Sequence, residues 1–76
     1  VLPSKTKELI VVAVAHVTQC PYCIRSYTKR ARLKGATGQE IMEAISVAAE
    51  MRAGAVSARS SVAIDVMNQE DAQPGA

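Results

Sequence analysis

Thr18-Gln19-Cys20-Pro21-Tyr22-Cys23 is the stretch on which the reading of this chain turns. It holds both of the chain's 2 cysteines, three positions apart. It also holds a proline where a helix is expected to begin. Proline suits the first helical position, because its missing N–H would have no intrahelical partner there. Cys20 is then the N-cap and Cys23 the third helical residue, close to backbone N–H groups that the helix leaves unpaired. Partial positive charge at that end favours a thiolate over a thiol. Thr18 and Gln19 become the join to an earlier helix.

Upstream, the sequence predicts a helix from about Lys5 to Val17, with Ser4 as its N-cap. The unbroken apolar run Leu9 to Ala15 also suits a buried strand. About a dozen residues without Gly or Pro are long for a strand, so length decides for helix. Such a helix has no polar face and asks to be covered on every side. Downstream, a second helix from Pro21 to about Lys34 stops at Gly35, with Arg32 and Lys34 set against the dipole of its last turn. Thr37-Gly38-Gln39-Glu40 is a capping box. A third helix follows, with Ile41, Ala44, Ile45, Ala48 and Ala49 as its core stripe. Gly54 loosens the pattern, and a fourth helix is expected from about Ala55 to Met67, separate or joined by a kink. The whole chain reads as one all-α domain with an ordered core over about 5–67. The polar residues 68–76, which include Pro74 and Gly75, are expected to fray.

Composition narrows the function. The 76 residues are 49% hydrophobic, yet there is no Phe or Trp and there are only 2 Tyr. Small side chains on a short chain make a thin core, so partner subunits are expected. A net charge of +2, with no basic stripe interleaved with aromatics, argues against nucleic acid. Seven apolar residues in a row fall far short of a membrane span. A reducing, cytoplasmic setting is expected, where a C-x-x-C pair is redox-active or metal-binding more often than structural. Arg25, Lys29, Arg30, Arg32 and Lys34 read as a solvated basic surface.

Three residues lie within reach of the thiols. Tyr27 follows Cys23 by four positions and shares its face. His16 precedes the join and comes near both cysteines if the second helix folds back along the first. Glu8 lies two turns further up and can approach Tyr27. The order Glu8, Tyr27, Cys23 is a proton path, with a buried Glu8 as its general base. The alternatives are inert core cysteines, or a zinc site. A closed zinc site takes four ligands, and this chain offers 2 Cys and 1 His. No metal or cofactor is therefore expected within one chain.

Three features together resemble a known family. Glu8 is followed, after eleven residues, by Cys20-Pro21-Tyr22-Cys23. The second helix ends in Lys34-Gly35-Ala36-Thr37, and the third opens with Glu40-Ile41. Residues 5 to 67 are similar to the AhpD-like alkylhydroperoxidases of the carboxymuconolactone decarboxylase superfamily. The resemblance implies an all-α fold assembled into trimers or hexamers. It also implies thiol-dependent reduction of peroxides as an antioxidant activity, through a redox-active disulfide. It makes Cys23 the thiol activated by the relay, Cys20 its disulfide partner and Glu8 the relay's carboxylate. Tyr22 and Tyr27 stand where the family pattern carries histidines. Tyrosine, with a pKa near about 10, is a poor base at neutral pH. His16 has the right range to substitute. Dithiol–disulfide exchange depends less on such a base than peroxide turnover does. Lactone decarboxylation, which does not need the cysteine pair, is not expected.

The expected function is thus that of a thiol peroxidase or dithiol–disulfide oxidoreductase, reset by a lipoyl or thioredoxin-like protein. A non-catalytic assembly protein of the same fold is the second reading. A metal-binding oligomer using Cys20, Cys23 and His16 is the third.

Overall fold

The computed structural model describes residues 1–73 and is all-helical, with α1 at Ser4–Val17, α2 at Pro21–Leu33 and α3 at Gly38–Asp71. The molecule measures 62 × 23 × 22 Å. Its long axis is set by α3, whose 34 residues span about 51 Å at ~1.5 Å per residue.

Each join is built from backbone hydrogen bonds that end one helix and fix the start of the next. At the end of α1, the Gln19 N–H donates to the His16 carbonyl at 3.3 Å and the Cys20 N–H to the Ala15 carbonyl at 3.2 Å. This is a Schellman motif, and it requires a left-handed residue at its turn. Gln19 fills that place with φ 58. At the end of α2, Gly35 N–H donates to the Arg32 carbonyl and Ala36 N–H to the Ala31 carbonyl, both at 3.0 Å. Here Gly35 takes the left-handed place, with φ 93. The capping box opens α3 as expected. The Glu40 N–H donates to Thr37 Oγ1 at 3.0 Å, and the Thr37 N–H donates to Glu40 Oε1 at 2.9 Å.

The core lies where α1 packs against α2 and α3. Val12 and Ala31 are fully buried, Ala36 and Ile41 nearly so, with Leu9, Tyr27 and Ile45 packed around them. Two of those four central residues are alanines. Burying a side chain as large as valine contributes about 1.5–3 kcal/mol, and an alanine contributes less. The core is as thin as the composition implies.

Four expectations need correction. No separate helix forms over Ala55–Met67, because α3 runs unbroken to Asp71. One glycine in a helix costs about 1 kcal/mol relative to alanine, less than losing a turn of hydrogen bonds among good helix formers. For the same reason Asn68 to Asp71 are helical rather than frayed; Pro74 and Gly75 lie outside the described residues. Pro3, not Ser4, caps α1, and no side chain bonds to that helix start. Ala49 is exposed, so the core stripe of α3 ends at Ala48, beyond which every described residue is exposed. Within one chain Ile10 and Val14 of α1 remain about half exposed, on the helix for which partner subunits are expected. Two neighbouring helices cannot enclose a third.

Candidate active site

The α1–α2 turn positions the thiols, and Cys20 takes part in both of its halves. Its N–H closes the motif that ends α1, at 3.2 Å from the Ala15 carbonyl. Its side chain caps α2: the Cys23 N–H donates to Cys20 Sγ at 3.3 Å. Pro21 stands at the first helical position between them. The backbone on each side of Cys20 is therefore held by a separate helix. Both cysteines are free and only partly buried.

This geometry separates the two thiols in acidity. Cys20 is pushed below the ordinary thiol value, first by the Cys23 thiol that bonds to it and next by the Cys23 N–H. Cys23 is pushed above that value, first because it holds its proton against the Cys20 sulfur and next by desolvation. The two thiols interact, so the first proton is lost by the pair as a unit. The resemblance had given the activated role to Cys23. In this chain the backbone N–H of Cys23 reaches the Cys20 sulfur, so the N-cap thiol is the one that receives a hydrogen bond from the helix start.

Glu8 is buried at 8% exposure, although it sits on the first turns of α1. Its Oε1 lies 3.1 Å from Arg30 Nη2 on α2. Its Oε2 is buried with no hydrogen-bond partner. No hydrogen bond joins Glu8 to Tyr27; Arg30 stands between their roles. The guanidinium carbon lies 5.2 Å from the centre of the Tyr27 ring, a cation–π arrangement. Cys23, Tyr27 and Arg30 follow one face of α2 at successive turns. Arg30 is thus more than one cation of the solvated basic surface that the sequence predicts. Its three-residue spacing from Tyr27, on the face that meets Glu8, was the signal available in the sequence.

His16 is partly buried, and its Nδ1 lies 2.8 Å from the Val12 carbonyl. A carbonyl can only accept, so Nδ1 is the donor in this contact. The shifts of the two thiols trace to the cysteines themselves and the Tyr22 backbone, with no contribution from His16. Among the described residues, no three of His, Cys, Asp and Glu gather so as to hold a metal. The Cys20, Cys23 and His16 set is therefore not assembled within one chain. Among the same residues, no helix is long and apolar enough to cross a membrane.

An all-helical domain with a paired thiol at a helix start is the class that this fold and site define. The sequence pattern of the carboxymuconolactone decarboxylase family matches residues 1–65. The chain belongs to that family, within the AhpD-like superfamily. It is also similar to "Uncharacterized protein 4 in cox locus" of Paracoccus denitrificans, at 59% identity over 70 residues. That alignment covers 92% of this chain and 63% of the Paracoccus protein, so the chain spans under two thirds of its relative's length. No solved structure matches the chain.

Proposed function

We propose that the chain is a thiol oxidoreductase whose Cys20–Cys23 pair cycles between dithiol and disulfide. The observation that carries this reading is the Cys23 N–H donating to Cys20 Sγ at 3.3 Å, with both thiols free and partly exposed. A sulfur held at a helix start with its charge stabilised is a nucleophile near neutral pH.

With a hydroperoxide, the Cys20 thiolate attacks the terminal oxygen. The O–O bond breaks, the sulfur is oxidised to a sulfenic acid, and the departing alkoxide takes a proton from water to leave as the alcohol. Cys23 then displaces water from that sulfur, and the S–S bond forms. A lipoyl or thioredoxin-like dithiol supplies the two electrons and two protons that reset the pair. For the second step Cys23 must give up the proton that its raised pKa retains. Tyr27, one turn away, and the partnerless Oε2 of Glu8 are the groups proposed to carry that proton. Arg30 holds the other oxygen of Glu8 in place. A reducing, cytoplasmic setting returns the pair to its active dithiol form.

The second reading, a non-catalytic assembly protein, is favoured by the exposed apolar residues Ile10 and Val14 on α1 and Met51, Val56, Val62 and Ile64 on α3. The proposal takes self-association as part of the function, as trimers or hexamers. Sedimentation of the purified chain tests it, and a monomer at micromolar concentration would refute it.

The enzymatic reading is tested by peroxide consumption in the presence of a dithiol. The parent chain should turn over, and Cys20→Ser and Cys23→Ser should each stop turnover. Peroxide loss that survives both substitutions would leave only the assembly reading.

A further inference from the structure

The charges of this chain are segregated. Residues 1–37 carry seven Lys and Arg against Glu8 alone, whereas residues 38–73 carry Arg52 and Arg59 against six Asp and Glu. From Leu9 to Gln39 there is no acidic residue. The thiol pair sits inside that window. Glu8 is engaged with Arg30, and Glu40 with Lys5 at 3.0 Å, so neither acid offsets the cations around the thiols. Arg25 and Lys29 are exposed on α2 and belong to neither ion pair. Along the helix axis they lie about 3 Å and 9 Å beyond Cys23 at ~1.5 Å per residue. These axial offsets are comparable with the Debye length at physiological ionic strength, roughly 8 Å, and well inside it at low salt, roughly 30 Å at 0.01 M. They are on the solvent side of α2 rather than on the face of Cys23, so they act through their field and not by contact.

We infer that the Cys20–Cys23 pair takes carboxylate-bearing thiols and disulfides in preference to neutral or cationic ones, because Arg25 and Lys29 set uncompensated positive charge on the same helix. This rests on the redox reading above and names the substrate class of that same site. In the exchange step the Cys20 thiolate attacks one sulfur of the disulfide. The substrate S–S bond breaks, and the departing thiolate takes a proton from water. Cys23 then attacks the Cys20 sulfur of the mixed disulfide and releases the second thiol. The pair is oxidised by two electrons and the substrate becomes two thiols. A field of this kind raises encounter rates with an oppositely charged reactant and fades as salt is added.

The test compares oxidised glutathione (anionic), 2-hydroxyethyl disulfide (neutral) and cystamine (cationic). Each rate is divided by that of 2-mercaptoethanol with the same disulfide, which removes the intrinsic reactivity of the probe. At low ionic strength the normalised rate should favour oxidised glutathione over cystamine by about tenfold. The preference should collapse at molar salt. Arg25→Glu combined with Lys29→Glu should invert it while leaving the neutral probe unchanged. The salt series on the parent chain stands alone should that variant fail to fold. Normalised rates that ignore probe charge and salt, with the neutral probe still reacting, would overturn the inference and leave the redox reading intact. Charge-blind rates from an oligomer that dissociates in salt would assign the basic half to the acidic α3 of a second copy, and would also overturn it. No reaction with any of the three would end both.

Discussion

The two turns of this chain use one backbone solution with different residues in it. Both end a helix in a Schellman motif, and both need a left-handed residue. The α2–α3 turn gives that place to Gly35 at φ 93; the α1–α2 turn gives it to Gln19 at φ 58. The next helix is capped in one case by Thr37 within a full capping box and in the other by Cys20. A residue with a Cβ pays a steric penalty in the left-handed region, of about 1–2 kcal/mol. Sulfur is absent from the strongly preferred N-caps. The turn remote from the thiols therefore follows local propensity at every position, whereas the turn that carries the thiols departs from it twice. Departures of that sort cluster at sites where chemistry, not folding, sets the residue.

Substitutions at matched positions sharpen this contrast, beginning with the largest effect. Nothing lies within 4 Å of a Cβ built on Gly35, so Gly35→Ala meets only the backbone penalty. It should lower unfolding stability in urea by about 1–2 kcal/mol. An unchanged midpoint would show that the turn relaxes out of the left-handed region.

Thr37→Ala removes a cap bond of 3.0 Å and should cost about 1 kcal/mol in the same assay. Cys20→Ser should move stability the other way, by up to about 1 kcal/mol, because a hydroxyl caps better than a thiol. It should also abolish the thiol that alkylates below the free-thiol range, near about pH 8.5. Cys23→Ser should keep that thiol. If Cys20→Ser instead leaves the fast-alkylating thiol in place, Cys23 is the ionised sulfur and the order assigned above is reversed.

Gln19→Gly relieves the left-handed strain but adds freedom to the unfolded chain, so the net gain should be about 0.5 kcal/mol. A loss would mean that the Gln19 side chain contributes to the turn.

The smallest effect concerns acid. The Glu40 carboxyl is held below its ordinary value, first by the Thr37 backbone N–H and next by Lys5. A depressed carboxylate adds stability that is complete above its unfolded value, near about 4.3, and lost as pH falls through the folded one. Glu40→Gln keeps an oxygen for the cap but does not titrate. Melting temperatures of the two proteins should converge as pH drops below about 4. A gap that stays constant from neutral pH to pH 3 would contradict this.

Much of the fold could be read along the chain because the signals are local. Pro21, Gly35 and the Thr37–Glu40 pair each act on backbone within one turn, and each sits where the sequence placed it. The number of helices was not legible, since Gly54 weakens a helix without deciding whether it breaks. The site divides in the same way. The N-cap role of Cys20 and the third-residue place of Cys23 follow from spacing. The guanidinium that meets Glu8 did not, because Arg30 looks like any other cation of a basic helix until α1 is laid against it.

What the sequence determined by itself is the set of helix ends, and with them two sulfurs at the start of α2, because helix ends depend on backbone groups only a few residues apart. Tertiary structure alone decided that Glu8 is buried against Arg30, that Oε2 is left without a partner, and that the packed stripe of α3 stops at Ala48. Those outcomes depend on which faces of separate helices meet, and residues distant along the chain set that jointly through the volume they must share.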